Sequence, residues 1–257
     1  MAFHGGVALV TGGASGMGRE AALQLVAAGG TVAIVDLNED ALTETVAKRD
    51  NISAYSCDVC DLDAVQSMVQ RVESELGPIT RLVHCAAIMP AIHLMQSNAA
   101  DINKMMAINY GGTVNMVQTI MPLMQKRGAG DVIIFGSLAG DIPSLTLGAY
   151  CATKAATNMY AEVLYHENRD GPLRILLVCP PAVDTPLMDQ AAEHGPAQLI
   201  KDRAEGRMST PKMIIDSVEA AIERGDWVVR PGQAALYARF RRWFPGLLWR
   251  LVHKSTE

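Results

Sequence analysis

Short apolar runs alternate with helical patterns along almost the whole chain, and this alternation limits the possible folds more than any other feature. The runs lie at 7–10, 32–35, 52–57, 81–85, 132–135, 175–179 and 227–229; the helical stretches lie near 17–28, 39–49, 61–76, 100–126, 149–168 and 211–224. Most runs are continuous rather than alternating, as in strands buried on both faces of a parallel sheet. The order strand–helix–strand predicts an α/β fold, a doubly wound parallel sheet of about seven strands with helices on both faces. Asp61 and Thr210 are plausible N-caps, and Pro211 suits a first helical turn. No internal repeat or low-complexity linker interrupts the pattern, so residues 1–233 read as one domain and 234–257 as a tail.

Composition excludes several classes. Hydrophobic residues make up 49% of the chain and charged residues 19%, which argues against disorder. A net charge of −5 argues against nucleic-acid binding, which needs a basic surface. Cys57 and Cys60 form a CxxC, but a second such pair and a His pair at ligand spacing are both missing. They read as free thiols, and no metal is expected. The sequence shows neither a signal-peptide pattern nor an apolar run long enough to span a bilayer, so a reducing cytoplasm is the expected location.

The first strand leads into Thr11-Gly12-Gly13-Ala14-Ser15-Gly16-Met17-Gly18 and then a helix. Glycines there let the backbone turn tightly and come close to a pyrophosphate, while the helix presents unpaired N–H groups and the positive end of its dipole. Asp36 ends the second strand, 18 residues after Gly18. A carboxylate at that position accepts hydrogen bonds from ribose hydroxyls and repels a 2′-phosphate. The next residue is Leu37 rather than an arginine, so NAD is expected over NADP.

With these features in place, the sequence resembles the short-chain dehydrogenase/reductase family. TGGASGMG fits the family's TGxxxGxG, and Tyr150-Cys151-Ala152-Thr153-Lys154 fits YxxxK. Ser137 precedes Tyr150 by 13 residues, the family's spacing for its catalytic serine, and Asn109 matches its fourth catalytic residue. The landmarks run from about residue 7 to residue 186. The resemblance implies a Rossmann-like fold with Asn109, Ser137, Tyr150 and Lys154 as the catalytic set. It also implies cofactor contacts at Gly12, Ser15, Gly16, Met17, Gly18, Asp36, Leu37, Asp58, Val59, Cys85, Ala86, Ala87, Pro180, Val183 and Thr185, with Tyr150 and Lys154 reaching the same ligand. Two departures stand out: the family's NNAG is His84-Cys85-Ala86-Ala87, and its Pro-Gly is Pro180-Pro181.

Tyr150 and Lys154 are four residues apart and share a helix face. A free tyrosine, with a pKa of about 10, is a poor base near neutrality. A nearby ammonium favours the phenolate, and a lowering of about three units corresponds to about 4 kcal/mol. Tyr150 is therefore expected to exchange the substrate's proton, with Ser137 hydrogen-bonding the substrate oxygen. By resemblance, Lys154 also binds the nicotinamide ribose, and Asn109 holds a water that passes the proton to solvent.

The resemblance implies substrate contacts from the loops after the fourth, fifth and sixth strands; here they offer Met89, Leu138, Ile142, Leu145, Leu187 and Met188, an apolar lining suited to a hydrophobic secondary alcohol or ketone. Residues 184–209 read as a mobile lid over it. In the tail, Arg239, Arg241, Arg242, Arg250 and Lys254 stand against Glu257 and interleave with Phe240, Trp243, Phe244 and Trp249. Its apolar side is expected to cover the substrate cleft or a neighbouring subunit, or else to lie in a membrane interface. Small residues such as Ala152, Ala155 and Ala156 favour close helix pairing, and with the resemblance they point to a homo-oligomer, a dimer or tetramer. Three other readings fit less well. A sugar-nucleotide epimerase or dehydratase would be longer, with TGxxGxxG. A non-catalytic NAD-binding scaffold would have lost part of the catalytic set. A methyltransferase leaves Ser137, Tyr150 and Lys154 unexplained.

Overall fold

The computed structural model describes residue 3, residues 5–47 and residues 49–254. Glu257 lies outside them, as do the side chains of Leu251 and Lys254. The strands are β1 (Val7–Thr11), β2 (Thr31–Asp36), β3 (Ile52–Ser56), β4 (Ile79–His84), β5 (Gly130–Phe135), β6 (Leu173–Val178) and β7 (Val228–Val229). They form one sheet in the order β3-β2-β1-β4-β5-β6-β7, and every pairing is parallel. The chain crosses from β3 at one edge to β4 beside β1, which opens a crevice at the carboxyl ends of β1 and β4.

Each strand returns through a helix. Helices α1 (Gly16–Ala27), α2 (Glu39–Val46) and α8 (Pro211–Arg224) cover one face; α3 (Leu62–Glu75), α5 (Gly112–Arg127) and α6 (Gly148–Asn168) cover the other. Alternate strand residues feed the two cores: Leu9, Val35, Leu82 and Ile134 meet α3 and α5, whereas Val10, Ile34, Val83 and Ile133 meet α1 and α8. This explains the continuous apolar runs, because neither face of the sheet meets water. Asn38, Asp61 and Thr210 cap α2, α3 and α8 by accepting from the backbone N–H of Ala41, Ala64 and Met213.

One stretch departs from its expected form. The helix expected over 100–126 is α4 (Ala99–Met106), a π-helical turn at Ala107–Gly111, and then α5. One extra residue in a turn leaves the hydrophobic periodicity almost unchanged, so the pattern does not show it. The segment 184–209, expected as a lid, contains a 3₁₀ turn (Pro186–Ala191) and α7 (Ala197–Ala204). Arg203 ties it together, with 3.0 Å to Asp184 and 2.6 Å to Asp189. The tail folds as α9 (Ala234–Trp243) and α10 (Pro245–Lys254), broken before Pro245.

At the opposite end of the sheet from the crevice, Arg81 on β4 is fully buried. Its guanidinium donates to Asp131 Oδ2 on the adjacent β5 at 2.9 and 2.7 Å and to Glu219 on α8 at 2.6 Å. Arg174 on β6 closes on the other oxygen of Asp131 at 2.6 Å, and the Phe3 ring lies 4.8 Å from the Arg81 guanidinium carbon. A buried ion cluster adds little over a well-packed apolar one, but removing one member strands the others. Arg81→Ala should destabilise the fold by about 3–5 kcal/mol, read as a lower midpoint in urea unfolding.

Candidate active site

The loop between β1 and α1 is shaped by close backbone approach. Gly12 has φ +65°, and a Cβ there would lie 3.1 Å from the Ala86 nitrogen. A Cβ on Gly18 would meet the Gly12 carbonyl oxygen, so the first turn of α1 packs directly on the loop. The first-turn N–H groups of α1 have no intrahelical acceptors, and the Ser15 side chain does not cap them. They face a groove lined by Gly12, Ser15, Gly16, Met17, Gly18, Asp36, Leu37, Asp58, Val59, Cys85, Ala86, Ala87 and Thr185. Asp36 holds the loop, accepting from Ala14 N–H and Asn38 N–H, each at 3.2 Å. A glycine at 18 that no Cβ could replace, a Gly12 whose φ would strain any side chain, uncapped amides and a carboxylate at the end of β2 together fit a dinucleotide. Lys104, Ile108 and Gln190 also line this groove and were not anticipated. Gln190 accepts from Met89 N–H at 2.7 Å, a long-range contact that carries no motif.

A second cavity, of about 330 Å³, adjoins the groove and shares Met17, Cys85, Ala87, Thr185 and Leu187 with it. All six residues expected around a substrate line it: Met89, Leu138, Ile142, Leu145, Leu187 and Met188. Ser137, Tyr150, Lys154, Pro180, Pro181 and Val183 line it too. Gln198, Leu199 and Asp202 of α7 were missed, because a polar surface helix gives no sign in sequence of the cavity it borders. Among the described residues, none of α9 or α10 lines the cavity. One wall is held under strain: Thr146, a β-branched residue, sits at φ 63°, and its carbonyl accepts from Ile92 N–H at 2.7 Å.

Behind these spaces lies a set of buried polar contacts. Asn109 is fully buried in the π turn. Its amide oxygen accepts from Ile88 N–H at 2.8 Å, and its nitrogen donates to the Ile88 carbonyl and to Thr153 Oγ1 at 2.9 and 3.0 Å. The side chain therefore clamps the strand β4 exit rather than facing either space. Asn158, not anticipated, grips Ser137 by the backbone: it accepts from Ser137 N–H at 3.3 Å and donates to the Ser137 carbonyl at 3.0 Å. Its spacing of four residues beyond Lys154 on α6 is the signal that marks it in the sequence. At the end of β4, Thr11 Oγ1 accepts from the N–H groups of Cys85 and Ala86, so its own hydrogen goes to His84 Nδ1 at 2.8 Å. Burial, with the Lys154 charge beside it, holds His84 down to about 3. The histidine that replaces the family's asparagine is thus a neutral structural ring.

The charges at the site differ from expectation. Burial pushes the Tyr150 phenol up to about 12, against an opposing hydrogen bond from the Ser137 hydroxyl. Lys154 is itself buried, which brings it down to about 8, and its ammonium donates to the Phe135 carbonyl at 2.8 Å. Its Nζ lies 5.9 Å from the Tyr150 ring centroid. The expected lowering of the tyrosine is not seen: loss of hydration raises it, and the ammonium bonds a backbone oxygen instead. Cys57 and Cys60 are free thiols raised by burial and by neighbouring Asp58, which suits inert cysteines.

The short-chain dehydrogenase model matches residues 6–195. The chain belongs to the short-chain dehydrogenase family. It is 29% identical over 247 residues to a probable oxidoreductase, EphD, of Mycobacterium tuberculosis, covering 90% of this chain but only 41% of that protein. The chain thus spans about two fifths of the length of those mycobacterial relatives. It is 28% identical to the 2,3-dihydro-2,3-dihydroxybenzoate dehydrogenase of Bacillus subtilis, over 84% of this chain and 88% of that one. The crystal structure of a short-chain dehydrogenase/reductase from Burkholderia phymatum in complex with NAD superposes with a TM-score of 0.85 at 26% identity, over 96% of both chains. The chain has the family's seven-stranded parallel sheet. No helix among its described residues is long and apolar enough to cross a membrane.

The buried lysine has a consequence for stability. Its folded pKa of about 8 lies below the ordinary lysine value of 10.5, so between these values the unfolded chain binds more protons. Stability then rises with pH across that window. Urea titrations should show wild type gaining on Lys154→Met from pH 8 to 10.5; a constant difference would mean Lys154 is not desolvated.

Proposed function

We propose that this dehydrogenase prefers NAD and moves a hydride between it and a hydrophobic secondary alcohol or ketone, with Tyr150 as general acid and base. The observation that carries this reading is the convergence of Ser137, Tyr150 and Lys154 on the apolar cavity that adjoins the cofactor groove. A bound nicotinamide would supply or accept the hydride. The Tyr150 phenol keeps its proton at neutral pH, which suits delivery to a carbonyl oxygen. Ser137, held by Asn158, steadies charge developing on that oxygen. Running the reaction as an oxidation requires the phenolate, and the Ser137 hydrogen bond is the contact that favours it. Asn109 acts as a positioning residue, through Ile88 and Thr153.

The cavity lining is mainly aliphatic and thioether, with Gln198 and Asp202 among its polar members. It favours substrates with an apolar body. By name, the 2,3-dihydro-2,3-dihydroxybenzoate dehydrogenase of Bacillus subtilis and a 3-ketodihydrosphingosine reductase of Mus musculus fit alcohol–ketone chemistry. Preference for NAD rests on Asp36 in the groove, with the exposed Leu37 beside it.

Two experiments test the assignment. Tyr150→Phe should lower kcat by at least about 100-fold, the lower range for a lost general acid, while NAD still quenches intrinsic fluorescence with unchanged affinity. Near-normal kcat would overturn the role given to Tyr150. Asp36→Ala should narrow the ratio of kcat/KM for NAD over NADP, and a wild type that uses NADP equally well would remove the basis for the preference.

A further inference from the structure

The tail leaves several large apolar side chains exposed. Trp243 is 75% exposed and Phe244 56%, and Leu236, Tyr237, Leu247 and Trp249 are exposed around them. The Phe240 and Phe244 rings lie 5.6 Å apart, which keeps the aromatic row continuous across the break between α9 and α10. Inward contacts are small by comparison: Ala234 and Leu248 are buried. A soluble surface rarely leaves so many large apolar side chains together in water.

Charge identifies what covers them. The whole chain has a net charge of −5, yet residues 234–257 hold five basic residues and one acid. Arg239, Arg242 and Arg250 are exposed, and none of the three forms an ion pair among the described residues. Arg230, by contrast, is held by Asp141 at 2.9 Å. A two-fold pairing of this tail with its copy would set the arginine row against itself. An anionic lipid surface instead offers phosphates to the arginines and an acyl boundary to the tryptophans and phenylalanines. Each helix has 10 residues, enough to lie along an interface and too few to cross one.

We infer that α9 and α10 form a peripheral anchor that lays their aromatic row into an anionic bilayer surface, with Arg239, Arg242 and Arg250 on the phosphates. The test is co-sedimentation of the full chain with vesicles of phosphatidylcholine, with and without phosphatidylglycerol. The protein should sediment with the anionic vesicles and stay in solution with the neutral ones, and added salt should release it. Arg239→Gln and Arg242→Gln should each lower the partition coefficient about fivefold. Trp243→Glu combined with Phe244→Glu should abolish binding while the circular dichroism and NAD binding stay as in wild type. Failure to bind anionic vesicles, or equal binding to neutral ones, would overturn the inference. So would light scattering in which Trp243→Glu with Phe244→Glu splits an oligomer, since a second copy would then be the occupant.

Discussion

A parallel sheet cannot be closed by hairpins, because each strand must return to the same end through a crossover. Here the crossovers are helices, and they cover both faces. The strands therefore have no wet side on which to carry chemistry. Reactive groups gather where the chain leaves the sheet, at the carboxyl ends of β1, β2, β4, β5 and β6. The reversal of strand order between β1 and β4 opens the space in which they meet. The same constraint sends the other polar groups into internal pairs. Arg81, Asp131, Arg174 and Glu219 neutralise one another at the far end of the sheet, where solvent does not reach Arg81.

At the reactive end, buried amides replace water as the partner of the backbone. Asn109 ties β4's exit to α6, and Asn158 ties α6 to the end of β5, so Tyr150 and Ser137 are referenced to one frame. Asp141 extends it, accepting from Asn158 at 3.3 Å and from Arg230 just beyond β7 at 2.9 Å. The frame reaches across the sheet through a few hydrogen bonds, each in a setting dry enough that losing a partner is costly.

Burial also sets the resting charge state. Lys154 and Tyr150 are both withdrawn from water, which moves the amine down and the phenol up. Each shift is toward the neutral form, because burial disfavours charge on both groups. The Phe135 carbonyl takes the lysine's hydrogen bond at 2.8 Å.

The sequence by itself determined the sheet, because continuous apolar runs at 7–10, 32–35 and 132–135 can be satisfied only between two layers of helix. It also determined the glycine loop, whose crowding at Gly18 admits no side chain, and the helical spacing that sets Tyr150 and Lys154 on one face. Such features are local, so their periods and neighbours are written along the chain. Tertiary structure alone decided the π turn at Asn109, the grip of Asn158 on Ser137 and the α7 wall of the cavity. It also decided that burial raises the Tyr150 phenol. These depend on groups distant in sequence sharing a volume from which water is excluded, and the strength of a hydrogen bond or a charge is set by that volume, not by spacing along the chain.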